Sequence, residues 1–581
     1  MTKAKSDDDS QLLITKAYLV TWSISLLLPL LDGTFFAKGA GGLDVRPLVE
    51  EDHHYLFPVI YLLLGSLCLG SSFRVTTILA CIAHAIIIYI RWTRMPIVWD
   101  HEQWAMQIEL IFFLVYSSQL ALAPLSSLAQ AETAFCAIAR CQFVLFYAAA
   151  TFWKFNTGFF DTSVSCGTVL ILETFAAYLP SSWLTPEVVK AIGDLSPHKT
   201  IMLEGSIATL FAFSSTRHVA AVVATLFHLM IFLLPVNAAG GFSIDCTSRF
   251  IILFTSAEMQ RYIDHATIAK EGVIAVILTA ILVVLRQQCT GTPFDFGFTG
   301  MCLLTAFYLR IVQVNTGKTK SLAAGSPSRP LSSWSHRVVF AIVVLLALFY
   351  GFLSAILGFQ HMGAPTMYSN MRYFGGGNHY LVPMSILSDE IIYGGGLVQV
   401  VESTSVALNR RLAYIPSEDV FPPTVLKSIR TATNQTTLPV QFFPLVQTNP
   451  QSRAVVAPEY DTHNPVGSTN FLQFILPISD LRKALAVENN EKSQFVIKLV
   501  DAGTSDNFHE TIEPPGRLVV LTPGSCEIQS AEGDKMDDCG NDRAARLITT
   551  PPTETWLTWL VSKLQTPYPQ IVGMKEEICM S

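Results

Sequence analysis

About eleven apolar runs follow one another through the first 360 residues. They lie near 17–31, 55–69, 75–90, 104–122, 132–152, 201–213, 218–233, 237–254, 272–285, 296–312 and 338–357. A water-soluble core has no room for so many helices without a polar face, whereas a bilayer accepts them. Crossing the hydrocarbon takes about 20 apolar residues. Several runs are shorter, so they borrow flanking residues or form buried half-helices, and the expected number of spans is about 9–11. Composition agrees: 14% of residues are charged, 51% are hydrophobic and the mean hydropathy is +0.42. Soluble domains carry about 25% charge. The expected fold is therefore a polytopic α-helical membrane bundle with a C-terminal mostly-β soluble domain.

The charge divides the chain. Residues 1–360 hold 22 basic and 22 acidic side chains, and residues 361–581 hold 16 and 23. Apolar runs end where the acidic excess begins, which places a boundary near His361. The expected divisions are a cytoplasmic tail at 1–16, a transmembrane domain at 17–357 and an extramembrane domain at 361–581. The tail, MTKAKSDDDSQ, shows no clear cleavage site, so the first run is expected to remain as a span. An acidic C-terminal domain argues against nucleic acid as a partner. With the N-terminus inside, eleven Lys and Arg fall on the cytoplasmic side and eight on the other. The Ser-, Gly- and Pro-rich basic stretch 313–337 reads as a cytoplasmic linker. A single crossing by 338–357 then puts the C-terminal domain in the lumen of an ER-like compartment or outside the plasma membrane. A glycosylation sequon at Asn434 and the pair Cys526 and Cys539, which bracket a polar loop in disulfide-forming sequence range, agree with that side.

The C-terminal domain reads as short strands, among them LVQVVES, QFFPLV, SQFVIKLV and RLVVLTPG. SDLRKALAV reads as a helix opened by a Ser cap, and TETWLTWLVSKL as an amphipathic helix that packs on the sheet or rests on the membrane.

Charges inside apolar runs cost about 2.5–3.5 kcal/mol at mid-span, so each needs a reason. Asp245 and Arg249, four apart, read as a structural pair. Glu109, Glu204 and Arg140 pair among themselves or line a wet cavity. His84 reads as hydrogen-bonded within the bundle. His228, in TLFHLMIFL, is either a satisfied interior histidine or a ligand and proton carrier. Lys154 ends a span in TFWKFNTGFF. Its stem either snorkels to the interface beside Trp153, or its nitrogen is held away from water, where the neutral amine becomes available as a general base.

Four stretches together carry a family resemblance over roughly residues 10–383. These are Lys154-Phe155-Asn156 after a small-and-aromatic helix; Glu204, Arg217 and Phe227-His228-Leu229; WDHEQW at 99–104; and TMYSNMRYFGGGNHYLVP at 366–383. In this order they resemble the vitamin K-dependent γ-carboxylases and their wider transmembrane relatives, the HTTM domain proteins. The resemblance implies that Lys154 deprotonates a vitamin K hydroquinone-like reduced quinone. The oxygenated product then serves as a strong base toward a glutamate of a protein substrate. It implies catalytic roles for His101 and His228 beside Lys154, and substrate or cofactor contacts for Trp153, Asn156, Glu204, Arg372, Asn378 and His379. Where the carboxylases carry a second lysine, this chain has Trp153. His101 is the nearest match to their histidine, although alignment on Trp99 places Glu102 there. No metal-spaced His/Cys cluster or Gly-rich phosphate loop is seen, so no metal or nucleotide is expected. Two further readings stand beside the enzyme: a non-catalytic HTTM scaffold that binds a lipid or protein partner, and a transporter. The latter should show matching broken helices in two halves, which the sequence does not.

Overall fold

The computed structural model describes residues 12–36, 73–94, 100–122, 128–162, 165–234, 240–265, 268–290, 294–316 and 333–356. Beyond these it describes short stretches at 365–366, 369, 371, 379–382, 397–405, 415–416, 439–440, 474–478, 481–482, 485, 494–501, 517–530, 535–538 and 571–572. The described chain is mostly helical. In order, the helices are α1 (Leu13–Phe36), α2 (Phe73–Arg94), α3 (Asp100–Leu122), α4 (Leu128–Trp153), the single turn α5 (Thr157–Phe160), α6 (Cys166–Tyr178) and α7 (Pro186–Ala212). They continue with α8 (Arg217–Phe232), α9 (Gly240–Arg249), α10 (Ser256–His265), α11 (Ile268–Thr290), α12 (Phe296–Asn315) and α13 (Trp334–Leu348). Five segments are long and apolar enough to cross a membrane: Arg74–Trp92, Leu128–Trp153, Gly272–Cys289, Phe296–Asn315 and Trp334–Ile356.

Local chemistry sets several helix ends. The Asp295 carboxylate accepts from Phe298 N at 2.9 Å and caps α12, and the Ser333 hydroxyl accepts from His336 N at 3.1 Å and caps α13. Pro186 stands at the first position of α7, where its missing N–H leaves nothing unpaired. Helix α13 runs into a π turn at Phe349–Leu353. A side chain at Gly351 would lie 3.2 Å from the Ala149 Cβ, so glycine lets the two backbones close there.

Contacts divide the chain into two compact units. One comprises 1–94, 99–149 and 201–351; the other comprises 95–98, 150–200 and 352–581. The grouping of 150–200 with the C-terminal part departs from the linear division at 17–357 and 361–581, because the segment after α4 makes its contacts with residues beyond 352.

In the first unit, the core is aromatic. His84 lies stacked between Trp22, 3.8 Å away, and Phe112, 4.1 Å away, and its Nδ1 is 2.7 Å from the Ala80 carbonyl. Its expected role within the bundle is what the packing shows. Glu132 joins α4 to α1 and α10 through neutral donors. It accepts from Thr15 N (2.8 Å), Thr15 Oγ1 (2.7 Å) and Ser256 Oγ (2.6 Å), and Tyr116 meets Thr15 Oγ1 at 2.5 Å.

In the second unit, the described strands include β1 (Leu397–Ser403), β4 (Phe474–Pro477), β5 (Ile497–Asp501), β6 (Arg517–Thr522), β7 (Ser525–Ser530), β8 (Lys535–Asp538) and β9 (Ile571–Val572). These form an antiparallel sheet in the order β8-β7-β6-β5-β1-β4-β9. The short strands β2 (Ile415–Pro416) and β3 (Pro439–Val440) pair separately. Alternation shows in β5, where Ile497 and Leu499 are buried and Lys498 is not. The β6–β7 hairpin turns on Pro523-Gly524, and Gly524 takes φ +76°, a value that favours glycine. Asn434, Cys539 and the helix read at 553–564 lie outside the described residues.

Candidate functional site

The second unit holds Trp153, Lys154, Asn156 and His379 together. Helix α4 ends at Trp153, and the chain turns through Lys154 and Phe155 into α5. Asn156 makes that turn. Its Oδ1 accepts from Phe159 N at 2.8 Å, capping α5, while its Nδ2 donates to the carbonyls of Trp153 (2.7 Å) and Ser369 (2.6 Å). Both N–H groups of the amide are therefore used on backbone, so Asn156 positions the turn around Lys154.

His379 is a clasp. Its Nδ1 accepts from the backbone N–H of Leu381 and of Val382, both at 3.1 Å, so the proton sits on Nε2, which donates to the Phe152 carbonyl at 2.8 Å. Tyr380 N donates to the Phe155 carbonyl at 3.1 Å, and Asn156 and His379 form an isolated antiparallel bridge. Rings crowd the same place. Phe152 lies 4.5 Å and Trp153 5.4 Å from the His379 ring, and Phe160 lies 6.2 Å from Tyr380.

Lys154 lies inside this frame at 5% exposure. Its Nζ donates to the Ala150 carbonyl at 3.3 Å and stands 6.0 Å from the centre of the Phe159 ring. The side chain therefore folds back on its own helix end among aromatic rings. Arg372 and Asn378, the other expected contacts of the 366–383 motif, lie outside the described residues, as do Tyr368 and Asn370.

Burial lowers the pKa of His379, opposed by its bond to Phe152. The neutral ring is thus the folded form. Its contribution to stability is complete above the unfolded value of about 6.5 and is lost as pH falls below it. Protonation also puts a hydrogen on Nδ1 and removes the acceptor for two amides. The protection of the Leu381 and Val382 amides, measured against their intrinsic exchange rates, should fall as pH drops below about 6.5, and His379→Gln should show no such step. Protection that stays constant through acidification would contradict the clasp.

The first unit holds His101, Glu204 and His228. The expected neighbourhood of Lys154 with His228 or Glu204 thus spans two units. His228 is fully buried on α8. Its Nε2 is 2.5 Å from the Tyr147 hydroxyl, and its Nδ1 has no hydrogen-bond partner among the described residues. Phe242 of α9 lies 4.8 Å from the His228 ring and 6.1 Å from that of His101. His101 Nε2 stands 3.9 Å from an Asp245 carboxylate oxygen. A side chain at Gly241 would lie 3.3 Å from the same His101 nitrogen, so glycine admits the imidazole there. Glu204 is buried on α7.

Behind His101 runs a chain of alternating charge. Arg249 of α9 reaches Asp245 at 3.2 Å and Glu109 at 3.0 Å; Arg91 of α2 reaches the other Glu109 oxygen at 2.9 Å; and Trp22 Nε1 donates to Glu109 at 3.0 Å. The Asp245–Arg249 pair is the one expected from spacing. Glu109 pairs with Arg91 and Arg249, and not with Arg140 as sequence had allowed, because α2 and α9 bring their guanidiniums to the α3 face that carries it. Among the described residues, no group of three His, Cys, Asp or Glu is placed to hold a metal ion.

Cys526, expected in a disulfide with Cys539, is disulfide-bonded, while Cys539 lies outside the described residues; Cys166, in the stretch that follows Lys154, is disulfide-bonded too, which the sequence does not mark. No family model, no curated protein and no solved structure matches this chain.

Proposed function

We propose that this chain is an integral membrane enzyme that oxidises a hydrophobic reduced quinone, with Lys154 as the general base. The observation that carries the reading is the burial of Lys154 at 5% exposure within a frame of aromatic rings that Asn156 and His379 hold in place. Phe152, Trp153 and Phe159 near Lys154 are apolar, flat-sided side chains of the kind that pack on a quinone ring, which supports the reading. The reduced quinone supplies an acidic phenolic hydroxyl and the electrons for oxygen. Lys154 takes the hydroxyl proton at Nζ when the amine is neutral. Asn156 and His379 fix the turn that aims it, and the rings exclude water. His101 and His228 are assigned the later proton steps on the family resemblance. A glutamate-bearing protein is the acceptor that resemblance names, with Arg372, Asn378 and Glu204 as its contacts.

The topology proposed with this function has about 9–11 spans and a mostly-β C-terminal domain on the lumenal or extracellular side. Cysteine state supports the sidedness. The described free cysteines, Cys81, Cys136, Cys141, Cys246, Cys289 and Cys302, all belong to the first unit, and the disulfide-bonded Cys166 and Cys526 to the second. Disulfides persist in oxidising compartments. In sealed vesicles with the cytoplasmic face outward, added protease should spare the region beyond 361. Its digestion without detergent would reverse the orientation.

A second reading, a non-catalytic scaffold that binds lipid, is favoured by a groove of 430 Å³ between α2 and α3. It is lined by Ile78, Ile82, Ile86, Tyr89, Phe113 and Leu120 among others, with almost no polar surface. Turnover decides between the two. Purified wild-type chain given reduced naphthoquinones and oxygen should form the epoxide. Absence of product with every quinone tried would favour the scaffold.

A further inference from the structure

Four large apolar side chains of the second unit meet at its surface. Tyr380 (59%) and Leu381 (67%) are strongly exposed, Phe155 is exposed and Phe160 is half-buried. Their rings form a row. Phe155 lies 6.4 Å from Phe160, and Phe160 lies 6.2 Å from Tyr380 and 5.2 Å from exposed His198 of α7. Leu381 follows Tyr380 directly, and Tyr380 N donates to the Phe155 carbonyl at 3.1 Å, so main chain ties the two stretches together. A contiguous apolar patch left outside marks an interaction surface. Asp161 and Lys199, each next in the chain to a member of the row, are exposed polar groups.

The backbone under the patch is irregular, yet its N–H groups are spent inside the protein. Phe155 N donates to the Phe152 carbonyl and Asn156 N to the Lys154 carbonyl, both at 3.0 Å, and Phe160 N to the Asn156 carbonyl at 3.4 Å. Leu381 N and Val382 N share His379 Nδ1, each at 3.1 Å. Chain that meets water leaves such groups to solvent, whereas chain that meets lipid pairs them internally, because lipid offers no hydrogen bond. The position in the chain points the same way. Helix α4 is long and apolar enough to cross a membrane and ends at Trp153, two residues before Phe155. Its 26 residues at 1.5 Å each run about 39 Å, beyond the ~30 Å hydrocarbon core and within the ~40–45 Å of the whole bilayer. The end of a crossing α4 therefore falls at headgroup level, and two residues of chain carry Phe155 no more than ~7 Å further.

We propose that Phe155, Phe160, Tyr380 and Leu381 form a membrane-interface anchor, resting on the bilayer that α4 crosses at the boundary between headgroups and acyl chains. Phe155, Phe160 and Leu381 supply apolar area. Tyr380 and His198 join an apolar ring to a polar tip, the combination that holds rings at headgroup level. Asp161 and Lys199 keep the margin among the headgroups and stop the patch from sinking into hydrocarbon. A protein surface could pair backbone amides with its own groups, so the inward pairing of the amides under the patch favours lipid as the occupant. The anchor holds the His379 segment and the turn after α4 at one depth. The inference is independent of the chemistry at Lys154.

The test uses the purified full-length wild-type chain in phosphatidylcholine nanodiscs. Two photoreactive phosphatidylcholines are compared, one with a diazirine near the acyl carbonyl and one with it at the chain end. Adducts are mapped by peptide mass spectrometry after irradiation. The shallow probe should label Phe155, Tyr380 and Leu381 more than the deep probe does. Leu345, exposed midway along the Trp334–Ile356 segment, should show the reverse preference, and fully buried Phe159 should take neither label. Adducts on Leu345 with none on Phe155, Tyr380 and Leu381 would overturn the proposal. The same result with two chains in each nanodisc would assign the patch to a second copy instead. Labelling of the patch by the deep probe equal to or above that of the shallow one would overturn the stated depth and the anchor with it.

Discussion

Replacing Glu109 with Gln is expected to be the most damaging single change in the helical unit. The side chain is fully buried and serves two guanidiniums and an indole at once. Gln keeps the shape and one acceptor but removes the charge that both arginines face. Breaking a buried ion pair from one side costs about 3–5 kcal/mol, because a cation remains without compensation in a low dielectric. Against a typical stability of about 5–15 kcal/mol, that is a large share. Arg249 keeps Asp245 at 3.2 Å, so the stranded charge is chiefly Arg91. The double variant Glu109→Gln with Arg91→Met restores the charge balance and should recover a clear part of the loss. Melting temperatures at one scan rate in one detergent measure it. A single variant that melts with wild type, or a double variant that melts below the single, would contradict the role given to Glu109.

The apolar runs were legible because a helix that meets lipid shows its composition directly. Runs at 75–90, 132–152, 296–312 and 338–357 correspond to α2, α4, α12 and α13. Helix α7 begins at Pro186, well before the run at 201, because a polar first half carrying the Lys190–Asp194 pair at 2.7 Å continues the same helix. The run at 237–254 is broken. Arg249 turns inward to Glu109, and the chain passes into a 3-10 turn at Phe250–Leu253. Strand β1 falls on LVQVVES and β6 within RLVVLTPG, since alternation with β-branched residues marks a half-buried strand.

The partners of charges were harder. Arg91 sits near a helix end, where snorkelling explains it without any partner, and only the packing of α2 against α3 brings it to Glu109. Asn156 caps α5, and an Asn followed by a short helix marks such a cap in NTGFF. Cys166 carries no sequence mark of its disulfide, because pairing depends on distance in space. The grouping of 150–200 with the C-terminal part had the same cause: the contacts of Asn156 with Ser369 and of Phe152 with His379 are more than 200 residues apart in the chain.

Lys154 carries the functional reading, and its replacement should have the largest effect on activity. Lys154→Ala deletes one polar group and no part of the apolar core, so the fold should persist while base catalysis is lost. General-base catalysis contributes roughly 10²–10⁴-fold, and the loss should fall in that range. Lys154→Arg is the sharper variant. A guanidinium repeats the positive charge and the hydrogen-bond donors but does not deprotonate. The decisive measurement is quinone-epoxide formation by purified wild type, Lys154→Ala and Lys154→Arg, each checked for wild-type melting. Turnover in wild type with loss in both variants is the predicted result; turnover retained by Lys154→Arg would contradict the assignment of Lys154 as the base.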